Sequence, residues 1–166
     1  MYKKRNSRIS AVLWFIFLMM IVGIAVLSFE NGERSKQLGE HLIARLALAR
    51  HPEVPVTEAE LLWVTYVIRQ MARAAIFLGL GILGTVTVHV SMKNTGWVAK
   101  TIISGGILFA VAYFTEELKK YIPSRHYSYK EMMLSMTAVA TGFLFVSFIS
   151  LLKQGIKRIF QLAEIH

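Results

Sequence analysis

Four apolar runs dominate this chain, at residues 9–29, 71–92, 100–121 and 132–152, and each is long enough to cross a lipid bilayer. A helix needs about 20 mostly apolar residues to span a hydrocarbon core of about 30 Å. In lipid the backbone is satisfied only within a helix or a closed barrel, and no strand alternation suggests a barrel. The expected fold is therefore an all-α integral membrane protein with four transmembrane helices. Composition agrees: 55% of the 166 residues are hydrophobic, above the roughly 45–50% of soluble domains. No cysteine is present, so disulfides and thiolate catalysis are excluded.

The formal charge of +9 does not point to nucleic acid, because the charges cluster at the boundaries of the apolar runs. With the N-terminus in the cytoplasm, the inner segments hold Lys3, Lys4, Arg5, Arg8, Lys93, Lys100, Lys153, Lys157 and Arg158, against the single acid Glu164. That is a positive-inside pattern, which places both termini in the cytoplasm of a multi-pass membrane protein. The basic rim also attracts anionic lipid headgroups. The first run follows a basic start, as in a secretory signal, but it exceeds the usual signal core of about 7–15 residues and reads as an uncleaved anchor.

Residues 30–70 form a polar outer loop in this reading. Within it, Leu38, Leu42, Leu46 and Ala49 recur at helical spacing, predicting an amphipathic helix over 35–50 that lies on the membrane surface. After Pro52 and Pro55, Thr57-Glu58-Ala59-Glu60 reads as a capping box. Nothing then breaks the helical pattern until Lys93, a stretch of about 35 residues or about 50 Å. Its excess over the bilayer projects outward, with Trp63 and Tyr66 at headgroup level. Gly79, Gly81 and Gly84 lie deeper, where small residues let helices approach closely. The short connection after Lys93 makes the second and third spans antiparallel neighbours.

The third span carries the sharpest anomaly. Only residues 101–114 are free of charge, and fourteen residues rise only about 21 Å. Crossing the bilayer therefore draws Glu116 and Glu117 to the outer boundary of the hydrocarbon. There Glu116 is poorly hydrated and sits at the negative end of a helix dipole, so it requires a cation. Lys119 or Lys120 in the next turn can supply it as a snorkelling pair. The functional alternative is a site, since carboxylates at membrane depth are functional candidates. Arg69 and Arg73 share a face four residues apart at a similar depth and can clamp an anion. Arg125 and His126 follow Pro123 in the last outer loop, and Glu131 opens the fourth helix, where its charge suits the dipole. The histidines show no metal-ligand spacing and no phosphate loop is present, so no metal or cofactor is expected.

Several of these residues together resemble a known family: Ser28-Phe29-Glu30-Asn31-Gly32-Glu33-Arg34-Ser35, then Arg69-Gln70-Met71-Ala72-Arg73, then Thr115-Glu116, Pro123-Ser124-Arg125 and Glu131. They are similar to the pattern of VanZ-like membrane proteins, over about residues 28–142. Glu116, Pro123, Arg125 and Gly142 match that pattern, and Glu131 is a conservative change. The chain departs from it at Arg73, Ile76, Thr115, Lys119, Ser124, Ser135 and Ala138, and among these departures are positions where acid–base groups give way to residues that cannot perform the same proton transfer. The resemblance implies a bacterial cytoplasmic-membrane protein linked to glycopeptide resistance of the teicoplanin type. On these residues, Arg69, Arg73, Glu116, Arg125 and Glu131 form an outward site for an anionic lipid headgroup or envelope ligand. Two alternatives stand beside it: an enzyme with Glu116 and Glu131 as acid and base on a lipid-linked precursor, and a structural partner that assembles through its glycine-bearing spans.

Overall fold

In a computed structural model, residues 2–29, 58–92, 94–121 and 128–163 are described. They form four helices: α1 (Tyr2–Phe29), α2 (Glu58–Ser91), α3 (Trp97–Glu117) and α4 (Tyr129–Ala163), with a 3-10 turn over Leu118–Tyr121. All four contain a stretch long and apolar enough to cross a membrane: Arg8–Val26, Leu62–Ser91, Trp97–Tyr121 and Tyr129–Gln161. The amphipathic helix expected over 35–50, the capping residue Thr57 and Arg125 lie outside the described residues.

The helix expected to run unbroken after Thr57 is present as α2 from Glu58, and its apolar span begins at Leu62 and not at residue 71. Polar residues at this level do not interrupt it because Gln70 and Arg73 are matched by Glu131 of α4. The fourth helix runs to Ala163, well past residue 152. Lys153, Gln154 and Lys157 change the surroundings of the helix without ending it.

Packing is organised by α2, which touches the other three helices. Contacting residues of α2 and α4 lie 61 positions apart at Gln70–Glu131 and again at His89–Ser150. Gly81 meets Gly142 at the same separation. A constant separation means parallel axes in register, here over about 28 Å between those two side-chain contacts. Midway, the backbones themselves touch. A Cβ on Gly142 would stand 2.5 Å from Leu78 O and 2.9 Å from Ile82 N, and one on Gly81 would strike Val139 O.

The remaining helices run antiparallel to this pair. Gly84 lies under the Phe17 ring of α1 and Leu108 of α3, each 2.7 Å from where its Cβ would be. The Phe17 ring meets Trp14 edge to face at 5.8 Å. Phe143 of α4 lies 3.4 Å from the Cβ position of Gly105 and edge-on to Phe109 of α3. Phe17, Ile24, Phe77, Leu80, Leu108, Ala112 and Val139 form the buried core. At one end α1 is fastened to α2 by Trp14 Nε1 donating to Ser91 Oγ at 2.9 Å, with Ser10 Oγ 2.5 Å from the same oxygen.

Glycine substitutions separate close approach from intrinsic helix preference. Gly142→Ala places a methyl against backbone that cannot rotate away, and lowers stability by about 1–3 kcal/mol. Gly106→Ala has open space around it and raises stability by about 0.5–1 kcal/mol. Thermal unfolding midpoints of the two variants in one detergent should move in opposite directions.

Candidate functional site

The site is built where α3 gives way to the 3-10 turn, facing the first turns of α4. The helix tightens from 3.6 to 3.0 residues per turn there, and in a 3-10 geometry side chains at i and i+3 eclipse. Two carboxylates are thereby brought under two ammonium groups. Lys119 Nζ donates to Glu116 Oε2 at 2.6 Å, and Lys120 Nζ donates to Glu117 Oε1 at 2.6 Å.

The two pairs differ in environment. Glu116 is only 2% exposed and Lys119 4%, whereas the second pair faces outward. The tilt of the turn therefore selects Lys119 over Lys120 as the cation that Glu116 requires. The other oxygen of Glu116 is also engaged, for Ser135 Oγ of α4 donates to Glu116 Oε1 at 3.1 Å. That hydroxyl is equally 3.1 Å from Glu131 O. It has a single proton, so the two acceptors share it, and the carboxylate of α3 is tied to the backbone of α4.

Glu131 holds the second half of the site. Its Oε2 is ion-paired with Arg73 Nη1 and its Oε1 accepts from Gln70 Nε2 at 3.2 Å. Gln70 and Arg73 lie three residues apart on α2, hence on one face. Glu116, Arg73 and Glu131 all act electrostatically on Lys119, so the two ion pairs form one cluster. Among these four charges the sum is zero, which is how a low-dielectric interior tolerates ions at all. Gln70 Oε1 is buried with no hydrogen-bond partner among the described residues, whereas Arg73 Nη1 is held by its ion pair with the Glu131 carboxylate.

Of the five residues singled out in the sequence, Arg73 and Glu131 are in direct contact, and Glu116 joins them through Ser135 and Lys119. Arg69 is exposed, and Gln70 is the residue that shares Glu131 with Arg73. Arg125 and His126 fall outside the described residues. Gln70 and Ser135 were not assigned roles from sequence. Gln70 at i−3 from Arg73 carried a usable signal, whereas Ser135 carried none before helix register was known. His89, at the far end of α2, bonds Ser150 at 3.1 Å. Among the described residues no three His or Glu side chains gather as metal ligands.

Compared with known proteins, the chain matches no family model, no curated protein and no solved structure.

The depth of the Glu116–Lys119 pair sets its sensitivity. Lys119→Met strands a buried carboxylate and lowers stability by about 3–5 kcal/mol. Lys120→Met acts on the exposed pair and costs less than about 1 kcal/mol. Adding Glu116→Gln to Lys119→Met recovers much of the loss, which denaturation of the single and double variants in detergent would register as strong non-additivity.

Proposed function

We propose that the chain is a four-pass membrane protein of VanZ type, with both termini in the cytoplasm of a bacterial cell, whose outward end binds an anionic lipid headgroup or envelope ligand. Lipid as the solvent is supported by large apolar side chains exposed along all four helices, such as Phe15 at 65%, Phe114 at 60% and Phe145 at 61%. Apolar exposure on this scale has no place on a soluble monomer. The basic segments assigned to the cytoplasm support the orientation.

The observation that carries the binding reading is the buried Gln70 Oε1 beside the Arg73–Glu131 pair, which has no hydrogen-bond partner among the described residues. Leaving such a group unpaired costs about 1–3 kcal/mol, so an occupant that pairs it is favoured. The Arg73 guanidinium, ion-paired with Glu131, has further N–H groups to offer an anionic oxygen. Gln70 Oε1 offers an acceptor, and its amide is oriented by the bond from Nε2 to the Glu131 carboxylate. The matching ligand is a phosphate or carboxylate with a neighbouring hydroxyl or N–H donor, as in a glycerol-phosphate headgroup. Arg69, exposed on α2, is suited to draw it in, and Arg125 is the further cation that the sequence reading assigns to the anion.

Catalysis by Glu116 is less well supported, since both its oxygens are occupied and the side chain is closed off. The assembly alternative also loses ground. Gly81, Gly84 and Gly142 are used up in contacts within the chain.

Lipid extraction and mass spectrometry of the purified protein test the binding reading. Wild type should retain an anionic, hydroxyl-bearing lipid or precursor above its share in the membrane. Gln70→Met and Arg125→Ala should each lower that retention roughly tenfold, the equivalent of about 1.4 kcal/mol. A wild-type profile equal to bulk membrane lipid, or unchanged retention in both variants, would refute it.

A further inference from the structure

The opposite end of α4 presents a feature that the binding site does not explain. By the 61-residue separation, Ser91 at the end of α2 is level with Leu152 of α4. The antiparallel α3, aligned through Glu116 and Ser135, begins at about the same level. Residues 153–163 therefore continue as helix with neither α2 nor α3 beside them, for about 16 Å.

This overhang is strongly two-sided. At 100° per residue, Lys153, Gln154, Lys157, Arg158 and Gln161 fall within one arc of about 140°. Ile156, Ile159, Phe160, Leu162 and Ala163 fall in the opposite arc of about 160°, together with Gly155. The apolar members are uncovered: Ile156 is 54%, Ile159 67% and Phe160 68% exposed. Lys153 and Lys157 are exposed as well. No acidic residue occurs between Met132 and Ala163.

An apolar arc beside an arc of three cations, Lys153, Lys157 and Arg158, with Glu164 as the single acid next to the segment in sequence, matches an anionic lipid surface, into which the first inserts and whose headgroups the second meets. A second copy of the chain would bring like charges together. We infer that residues 153–163 form a surface anchor that lies on the anionic leaflet at the Ser91 end of the bundle, turning down from α4 at Gly155. That glycine has nothing within 4 Å of its Cβ position, so no packed neighbour holds the helix straight there. The inference rests on the four-pass reading, because the overhang reaches lipid only if the bundle below it is embedded. It is independent of what the Glu131 site binds.

Because the chain contains no cysteine, single cysteines report unambiguously. Full-length Ile159→Cys and Gln161→Cys, each labelled with an environment-sensitive fluorophore, are placed in nanodiscs of phosphatidylcholine with or without phosphatidylglycerol and titrated with acrylamide, a neutral quencher. With phosphatidylglycerol, the label at 159 should be shielded and the label at 161 open. Adding Lys157→Ala should lower the ratio of shielded to open segment about fivefold, and high salt should act in the same direction. Equal quenching at 159 and 161 in anionic nanodiscs would overturn the anchor. Shielding at 159 that is the same without phosphatidylglycerol would overturn the anionic-surface anchor, and shielding that grows with protein concentration would overturn it and assign the face to a protein. Resistance of the same proteins to alkaline extraction from vesicles scores membrane insertion separately, so loss of the anchor and loss of the four-pass reading give different results.

Discussion

Backbone-to-backbone contact between α2 and α4 is the constraint on which the rest of the structure depends. Side chains can trade rotamers, but Gly81 and Gly142 leave only main chain at the crossing, and main chain does not yield. A slip of one residue along either helix would drive a Cβ into a carbonyl. The 61-residue separation fixed there is carried by two stiff helices to both ends of the bundle. At one end it delivers Glu131 to Gln70 and Arg73, and at the other it delivers Ser150 to His89. Where helices pack in lipid, association gains little from hydrophobicity and depends on close packing, and the small residues at this crossing fit that requirement.

The charged cluster is a consequence of that register together with one change of helical pitch. The shift from α to 3-10 geometry after Glu117 stacks Lys119 on Glu116, and the α2–α4 register stacks Arg73 on Glu131. Ser135 then links the halves through one shared proton. Neither pair would be stable alone in an apolar setting without satisfaction of its remaining lone pairs, and a half-satisfied polar network is worse than none. Both oxygens of Glu116 are engaged, whereas Gln70 Oε1 has no hydrogen-bond partner among the described residues. The proposed ligand therefore belongs on the α2 side of the cluster, with Glu116 as its support.

The sequence revealed what depends on local pattern. The four apolar runs announced four helices, the unbroken stretch after Thr57 announced a second helix much longer than a bilayer, and the depth of Glu116 announced its need for a cation. It did not reveal what depends on pitch or register. Lys119 and Lys120 lie three and four residues after Glu116, both within reach on a helix, and only the 3-10 turn distinguishes them. Arg73 and Glu131 are far apart in sequence, and nothing short of the Gly81–Gly142 crossing aligns them. The fourth apolar run ends at residue 152, but the helix continues to Ala163 with Lys153 and Lys157 on one face.

The two long helices are nearly equal in length, 34 residues for α2 and 35 for α4, and they run parallel, yet they are slid past each other by about ten residues. Their shared length is about 24 residues, or about 36 Å, somewhat more than the hydrocarbon thickness of about 30 Å. The slide gives each helix one overhang. That of α2 carries Glu60 and the exposed aromatics Trp63 and Tyr66, while that of α4 carries lysines and no acid. Aromatic residues with acids at one end and lysines at the other are the kind of asymmetry on which the proposed orientation draws. A single glycine crossing therefore sets three properties: the partner of Arg73, the length common to the pair, and which polar segment each end presents.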